Sequence, residues 1–396
     1  MKILMINKFL HHVGGSETYM FRLGEYLVSK GHYVEYFGME HAQRQVGNRV
    51  NEYTREMDFH DGSLLDKLSY PFRTVYSVEA RRKLRCVLDD FCPDVCHLNN
   101  FNYQLTPSVI LEIKKWNKDC RIVYTAHDYQ LVCPNHMCNN PTSGQNCEKC
   151  LNSSYFNCVS GKCIHGSFLK SFIGFLESSI WHGLGVYENL DSVICCSEFL
   201  KSKLDTDKVL RKKTVAIHNF INKPEWREAK KGDYILYFGR YSKEKGINSL
   251  INVAKRHPEL NFVFAGSGPL KSCLDEIDNI TDVGFKSGAE LQKLIREALF
   301  SIYPSMWYEN CPFSVMESQM YGTPVLGARI GGIPELIEEG KTGMLFESGN
   351  EADLEDKLLK MMSCCDMLSL NCRDVCFETM ESYYSKLMDI YRGNRL

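Results

Sequence analysis

The sequence has no long hydrophobic run and no strong excess of either charge. No window approaches the roughly 18 apolar residues that a membrane-spanning helix needs, and the apolar run at residues 3–6 is too short for a secretory signal. Lys and Arg number 47 against 49 Asp and Glu, a net charge of −2, which argues against a bulk nucleic-acid binder, whose domain would be clearly basic. We therefore expect a soluble, cytoplasmic protein.

Strand-like and helix-like patterns alternate along the 396 residues, which are too many for one ordinary core. Near-continuous apolar runs fit strands buried on both faces of parallel sheets, and helical patterns between them fit βαβ units. The strand runs are 2–6, 34–39, 95–100, 121–128 and 192–197, then 234–240, 261–266, 280–285, 299–304, 323–328 and 343–347. In the first helical pattern, Ser16 is the expected N-cap and Gly31 the expected end.

The polar segment 222–233 separates the two series of strands. The sequence therefore predicts an α/β protein with two doubly wound domains and ligands in the cleft at the carboxyl ends of the strands. The predicted divisions are an N-terminal domain 1–218 with a cysteine-rich insert 133–165, a C-terminal domain 219–377, and a helix in 378–396 that packs back on the first domain.

Two glutamates stand eight residues apart, Glu309 and Glu317, with Pro312 at a position that suits a first helical turn. That turn would offer the backbone N–H groups of residues 311–314 to an anion. Eight helical residues would span about 12 Å, so one carboxylate could lie near a sugar and the other near a ribose. Taken alone, the pair could also be two solvated glutamates beside an ordinary helix.

Two cations follow a predicted strand: Arg240 ends it, and Lys245 lies five residues on. Fixed at a strand's carboxyl end, they could bind a diphosphate and neutralise it as it leaves, or they could form a solvated basic turn. Gly14 and Gly15 open the first helix and let the backbone approach a ligand. They do not form the GxGxxG fingerprint, which argues against a nicotinamide dinucleotide.

The stretch WYENCPFSVMESQMYGTPVLGARIGGIPELI resembles the Glu-x7-Glu motif of retaining GT-B glycosyltransferases, in particular glycosyltransferase family 4. GGSE near the start and FGRYSKEKGI after the junction extend the resemblance along nearly the whole chain. It implies the GT-B fold, with two Rossmann-like domains facing across a cleft. It also implies retaining transfer, without a catalytic metal, from a UDP- or GDP-sugar to a glycan or lipid-linked acceptor in surface polysaccharide (capsule or O-antigen) biosynthesis.

The resemblance also implies residue roles. Arg240 and Lys245 correspond to the residues that bind the donor diphosphate, Glu309 to the one that contacts sugar hydroxyls, and Glu317 to the one that holds the ribose. His127 matches an active-site histidine that contacts the transferred sugar. Further substrate-binding residues would be Gly14, Gly15, Asp128, Gly266, Gly268, Phe285, Asn310, Cys311, Pro312, Phe313 and Ser314.

Other activities stay open. A nucleotide-sugar epimerase of related fold is the alternative enzyme, and a non-catalytic nucleotide-sugar-binding protein is the third reading. Two segments could touch an anionic bilayer or a lipid-linked acceptor: the basic stretch 73–85 and the aromatic-rich stretch 167–185. They could equally be a solvated face and a packing helix.

Six of the 18 cysteines fall between Cys133 and Cys163. In a reducing compartment, such a cluster is more often a metal site than a set of disulfides. A structural zinc site is expected, and packed reduced thiols or disulfides are the alternatives. The predicted ligands are Cys147, Cys150, Cys158 and Cys163.

Overall fold

The computed structural model describes residues 1–57, 72–222, 224 and 230–394. The chain divides into two compact units, one made of Met1–His218 with Met380–Leu396 and the other of Asn219–Thr379. Half of the predicted junction, 222–233, lies outside the described residues. No helix in the described part of the chain is both long enough and apolar enough to cross a membrane.

The first unit alternates strands and helices. Its elements are β1 (Lys2–Ile6), α1 (Gly15–Ser29), β2 (Tyr33–Phe37), α2 (Val78–Phe91), β3 (Val95–Leu98), α3 (Ser108–Trp116), β4 (Arg121–Ala126), β5 (Asn139–Asn140), β6 (Gln145–Asn146), α4 (Asn157–Ser160), α5 (Phe168–Gly183), β7 (Ser192–Cys195), α6 (Glu198–Leu204) and β8 (Thr214–Ala216). The last helix of the chain also belongs to this unit.

The main sheet of this unit has the strand order β2-β1-β3-β4-β7-β8, and every neighbouring pair is parallel. The chain moves outward from β1 on one side and then from β3 on the other. The order therefore reverses between β1 and β3, where doubly wound sheets place their ligands. β1, β3 and β4 are buried along almost their whole length, as sheets covered on both faces require.

The second unit repeats this plan. Its elements are β9 (Tyr234–Arg240), α7 (Ile247–Arg256), β10 (Asn261–Ser267), β11 (Ile280–Asp282), α8 (Gly288–Glu297), β12 (Phe300–Tyr303), α9 (Phe313–Met320), β13 (Val325–Ala328), β14 (Gly343–Phe346) and α10 (Glu351–Asn371). The parallel sheet has the order β11-β10-β9-β12-β13-β14, so its reversal lies between β9 and β12. The prediction of two doubly wound α/β domains is confirmed.

The final helix, α11 (Met380–Arg392), packs in the first unit. Its buried residues include Tyr383, Leu387 and Tyr391. The Tyr383 hydroxyl lies 2.6 Å from that of Tyr19 on α1, and the Tyr391 hydroxyl lies 2.6 Å from Nδ1 of His97. These buried polar contacts attach the helix to the sheet.

One local prediction is wrong, and two local features were not predicted. Ser16 does not cap α1; Gly14 is the N-cap residue, and Glu17 Oε2 accepts a hydrogen bond from its N–H at 3.0 Å. The sequence missed β8, a short half-buried strand at the edge of the sheet. It also missed the two-stranded hairpin of β5 and β6 inside the cysteine-rich insert.

Candidate active site

The second unit brings its polar residues together at the β9–β12 reversal. Lys245 follows β9, and Glu309 lies in the connection after β12. Since β9 and β12 are parallel neighbours, their carboxyl ends meet at one edge of the sheet. Residues 64 positions apart in the chain therefore become partners.

One carboxylate oxygen is the centre of this site. Glu309 Oε1 accepts hydrogen bonds from Lys245 Nζ at 2.5 Å, Trp307 Nε1–H at 2.5 Å and Ser305 Oγ at 2.9 Å. Three donors to one oxygen, one of them charged, hold the carboxylate in one orientation. The sequence prediction included Lys245 and Glu309 but missed the two other donors, Ser305 and Trp307.

Lys245 is held between the carboxylate and two aromatic rings. Its Nζ lies 5.3 Å from the Trp307 ring centroid and 5.6 Å from that of Tyr303, and it donates to the Tyr303 hydroxyl at 3.3 Å. Burial acts to lower the pKa of Lys245, but the Glu309 carboxylate outweighs it and raises the pKa above the ordinary lysine value. The ammonium therefore stays charged at physiological pH.

Glycines fix the backbone on both sides of the site. Gly246 has φ +73°, and a Cβ there would lie 1.8 Å from the Pro304 carbonyl oxygen, so only glycine lets the two loops approach. Gly331 has φ +59°, and a Cβ would lie 2.1 Å from the Glu309 carbonyl oxygen. Gly332 N–H donates to that oxygen at 2.7 Å. Gly331 and Gly332 together thus fix the position of the Glu309 backbone.

The prediction of a helix through the Glu309–Glu317 interval is wrong. Helix α9 begins at Phe313, after Pro312 in an extended conformation, so residues 309–312 are not helical. The spacing of about 12 Å derived from eight helical residues therefore does not apply. Glu317 is half-buried in the second turn of α9.

The remaining residues of the motif lie at the start of α9. Cys311 is buried, and burial raises the pKa of its thiol to about 12, so only its backbone could meet a ligand. Its carbonyl accepts a hydrogen bond from Asn219 Nδ2 at 3.1 Å. Pro312 is also buried, and Asn310, Phe313 and Ser314 are half-buried.

The other donor-side predictions lie at the carboxyl ends of β9, β10 and β11. Arg240 is exposed at the end of β9. Gly266 and Gly268 lie against the β9 backbone, where a Cβ would come within 1.9 Å of Gly239 O or 2.4 Å of Tyr241 O respectively. Phe285 is 73 % exposed in the loop after β11.

In the first unit, the glycine turn after β1 is shaped by a buried carboxylate. Glu17 is 2 % exposed; its Oε2 accepts from the Gly14 N–H, and its Oε1 accepts from Asn7 Nδ2 at 3.0 Å. Gly14 and Gly15 themselves are exposed at the start of α1. The glycine turn was predicted from the sequence, but the role of Glu17 in holding it was not.

His127 follows β4 at the same edge of the sheet, and its Nε2 lies 2.9 Å from Asn99 Oδ1 in the loop after β3. The Tyr19 ring contacts the imidazole edge-on, with 4.9 Å between centroids. Burial lowers the pKa of His127 to about 3, so the ring is neutral at physiological pH. Asn99 and Tyr19 were not predicted, because each approaches from a distant part of the sequence.

Asp128, next to His127, has a raised pKa and a backbone hydrogen bond. Its Oδ1 accepts a hydrogen bond from Gln130 N–H at 2.9 Å. Burial raises the pKa of Asp128 to about 6, with Lys8 acting in the opposite direction. The acid is therefore partly protonated just below neutral pH, within the range in which carboxyl groups serve acid–base chemistry.

The cysteine-rich insert brings three of the four predicted zinc ligands together. Cys150, Cys158 and Cys163 share a buried cluster with Tyr155. Cys147 instead follows the β5–β6 hairpin, where its N–H donates to the Cys138 carbonyl at 2.7 Å. Across the described ranges, no group of three or more His, Cys, Asp or Glu side chains is arranged to hold a metal ion. The structure therefore gives the zinc prediction no support.

The sequence also contains an Asp-x-Asp tripeptide, Asp205 to Asp207, and both of its carboxylates have hydrogen-bond partners within the fold. Asp205 Oδ2 accepts from Lys201 Nζ at 2.8 Å, and Asp207 Oδ1 accepts from the N–H groups of Val209 and Leu210 at 2.8 and 3.0 Å. These carboxylates stabilise the turn after α6.

Comparison with known proteins agrees with this architecture. The profile of glycosyl transferases group 1 matches residues 219–370, and that of Glycosyltransferase Family 4 matches residues 13–223. A sucrose-phosphate synthase from Thermosynechococcus elongatus superposes with a TM-score of 0.72 at 17 % identity, over 99 % of this chain and 98 % of that one. An Anabaena protein solved with UDP and glucose superposes with a TM-score of 0.62 at 14 % identity, over 100 % and 97 % of the two chains.

Two sequence relatives show how far the similarity extends. An uncharacterized 42.6 kDa protein in the cps region of Klebsiella pneumoniae is 23 % identical, over 85 % of this chain and 87 % of the relative. An uncharacterized glycosyltransferase of Methanocaldococcus jannaschii is 28 % identical over 44 % of this chain, and the match spans half of that relative's length.

The fold and the matching profiles define a glycosyltransferase of the GT-B class. The chain belongs to glycosyltransferase family 4, whose profile covers more than half of it.

Proposed function

We propose that this protein is a retaining glycosyltransferase that moves a sugar from a nucleoside-diphosphate sugar, a UDP- or GDP-sugar, to a glycan or lipid-linked acceptor. The observation that carries the proposal is the Lys245–Glu309 pair at the β9–β12 reversal, with Trp307 and Ser305 as further donors to Glu309. A fixed cation beside a fixed carboxylate suits a reaction in which a diphosphate departs from a hydroxyl-rich sugar.

The roles follow from the chemistry of each group. Lys245 has three N–H donors; one meets Glu309 and one meets Tyr303, so one remains for a phosphate oxygen. Arg240, exposed at the end of β9, adds a second cation for the departing diphosphate. Glu309 accepts hydrogen bonds from the sugar hydroxyls, and Glu317 binds the ribose.

On the acceptor side, His127 is a neutral hydrogen-bonding group for the transferred sugar. The acceptor hydroxyl attacks the anomeric carbon on the face that the diphosphate leaves, and its proton passes to the departing diphosphate oxygen. The new bond therefore keeps the configuration of the old one. The cationic groups neutralise the leaving group without a catalytic metal. We place the enzyme in the cytoplasm, at the inner face of the membrane, in surface polysaccharide biosynthesis; the relative from the Klebsiella pneumoniae cps region supports that setting.

A donor panel tests the proposal. Purified full-length protein is incubated with UDP- and GDP-sugars, with and without lipid-linked acceptors, in the presence of EDTA, and product configuration is read by NMR. Transfer with retained configuration supports it. Donor interconversion without transfer would instead identify an epimerase, and binding without turnover would identify a non-catalytic protein.

A further inference from the structure

The outer face of α5 carries large apolar side chains where a surface helix normally carries polar ones. They recur at every fourth residue, which places them along one side of the helix. This apolar stripe consists of Phe168, Phe172, Leu176, Ile180 and Leu184. Four of its members are exposed, with 61 % exposure at Phe168, 36 % at Phe172, 41 % at Ile180 and 65 % at Leu184.

The inner face of the same helix is made of small and polar residues. Its buried members are Ser171, Gly174, Glu177, Ser178 and Trp181. Gly174 is needed for close packing, because a Cβ there would lie 2.5 Å from Ile164 Cδ1. Specific hydrogen bonds hold the orientation, from Trp181 Nε1–H to Val75 O at 2.9 Å and from Ile164 N–H to Ser171 Oγ at 3.0 Å.

The cysteine-rich insert extends the apolar surface. Phe156, at the start of α4, is 61 % exposed, and its ring contacts that of Phe175 edge-on at 5.5 Å. Phe172 lies between Phe168 and Phe175, with centroid separations of 6.4 and 6.0 Å. Four phenylalanine rings from two elements thus form one continuous patch, the kind of surface that marks an interaction site.

The charged side chains of the segment 149–176, which contains Phe156 and the first half of the stripe, have one sign. Residues 149–176 contain Lys149, Lys162 and Lys170, all exposed, and no Asp or Glu. A second copy of this surface would bring like charges together across a symmetric contact, whereas an anionic surface would be attracted. An apolar stripe flanked by lysines is the pattern of a helix that lies in the plane of a membrane interface.

The other basic segment is less suited to this role. Arg81 and Arg85 both bind the buried Glu112, at 2.5 and 2.8 Å. Arg73 pairs with Glu79 at 3.3 Å, and Lys83 with Glu52 at 3.6 Å. Four of its cations are therefore partnered within the first unit.

From the apolar stripe, Phe156 and the three lysines, we propose that the outer face of α5 docks on an anionic lipid bilayer. The helix lies flat, with its phenylalanines among the acyl chains and the lysines at the phosphate level. Its 16 residues are too few to span the bilayer. This docking deepens the membrane setting of the proposed function and rests on it. Vesicle binding needs neither donor nor acceptor and can be measured on a catalytically dead variant, so docking and transfer can fail separately.

Flotation of the full-length protein with vesicles tests the docking. We expect binding to phosphatidylcholine vesicles that contain phosphatidylglycerol, weaker binding to phosphatidylcholine alone, and release by salt. Phe168→Ser with Phe172→Ser should lower the partition coefficient at least about tenfold. Lys162→Gln with Lys170→Gln should lower it about twenty-five-fold, or about fivefold for each lysine near the surface.

The matched control is Met367→Ser with Leu370→Ser, since both side chains are 55 % exposed on α10. This variant should bind vesicles like the wild type, and all variants should keep the wild-type unfolding temperature. The proposal is overturned if the wild type stays unbound to anionic vesicles at low salt, or if both stripe and lysine variants bind undiminished. It is also overturned if the wild type self-associates and the phenylalanine variant does not, because the occupant is then a second copy.

Discussion

The two units have the same sheet plan but different electrostatics at the carboxyl ends of their strands. In the second unit, a charged lysine and a carboxylate are held together, with two neutral donors to the same carboxylate oxygen. In the first, His127 after β4 is neutral and is held by an amide and an aromatic ring. The same topology therefore supports a site that stabilises charge in one unit and a neutral hydrogen-bonding group in the other.

This difference matches the two halves of the proposed transfer. In the proposed reaction the donor loses an anionic diphosphate, so its site needs fixed charge that does not reorganise during the reaction. The acceptor presents a hydroxyl group, so its site needs orientation more than charge. Removing single groups on each side tests whether the units divide the reaction in this way.

The largest effect should come from Glu309→Ala. This change removes the carboxylate to which three donors point, and we expect the rate of transfer to fall about a thousandfold. Glu338→Ala is the matched control, because Glu338 is an exposed carboxylate of the same unit, paired only with Lys341. An active Glu309→Ala enzyme would contradict the proposed mechanism.

Lys245→Met should lower the rate about a hundredfold, because the departing diphosphate loses a fixed cation. The variant also leaves the Glu309 carboxylate, 11 % exposed, without its counter-charge. We expect the free energy of unfolding to fall by about 2 kcal/mol, measured by urea denaturation. Lys243→Met is the control, since Lys243 is an exposed lysine of the same turn.

In the first unit, His127→Ala should lower the rate of transfer about thirtyfold. The change removes one hydrogen bond and leaves its partner unsatisfied. Because the pKa of His127 is lowered to about 3, its loss should not alter the shape of the pH–rate profile between about pH 5 and pH 8. Disappearance of an inflection near about pH 6.5 in this variant would show that His127 titrates during catalysis.

Trp307→Phe tests a contact that the sequence did not predict. It keeps an aromatic ring beside Lys245 but removes the N–H donor to Glu309, and we expect a rate loss of about tenfold. Trp116→Phe, a half-buried tryptophan of the other unit, is the control for the general effect of the substitution. An unchanged rate would mean that Lys245 and Ser305 alone hold the carboxylate.

The positions of the strands are largely encoded in local patterns. The runs 2–6 and 234–240 coincide with β1 and β9, and the other runs differ from their strands by at most three residues at either end. Edge strand β8 was not predicted, because its three residues are only half-buried and carry no long apolar run. Local apolar patterning predicts buried strands well and exposed ones poorly.

The sequence predicted the charged residues of the site, but it did not predict the side chains that contact them. Lys245 and Glu309 belong to a spaced motif, whereas Ser305, Trp307, Asn99 and Glu17 act through folded-state contacts that no spacing reveals. The same reason applies to Cys147, because a hairpin of two-residue strands places its N–H against the Cys138 carbonyl. The helix expected across residues 309–312 failed because Pro312 is extended and those residues form a loop.

The last prediction concerns stability, not rate, and a second neutral group of the first unit. Glu177 is 1 % exposed on α5, and burial raises its pKa to about 8, against a small opposing effect of Ser178. Its pKa in the unfolded chain is 4.5, so between pH 4.5 and pH 8 the folded state keeps a proton that the unfolded state loses. The stability from this group is complete below the lower value and falls as pH rises, by about 1.4 kcal/mol per pH unit.

Glu177→Gln removes that dependence while keeping the shape of the side chain. The variant should match the wild type near about pH 4.5 and exceed its free energy of unfolding increasingly toward about pH 8. Glu112→Gln is the matched opposite: burial acts against it, but Arg81 and Arg85 lower the pKa of this buried carboxyl, so its stability is present at neutral pH and lost on acidification. If Glu177→Gln destabilises the protein at pH 8 as Glu112→Gln does, Glu177 is ionised, and the neutrality of the first unit does not extend to its buried carboxyls.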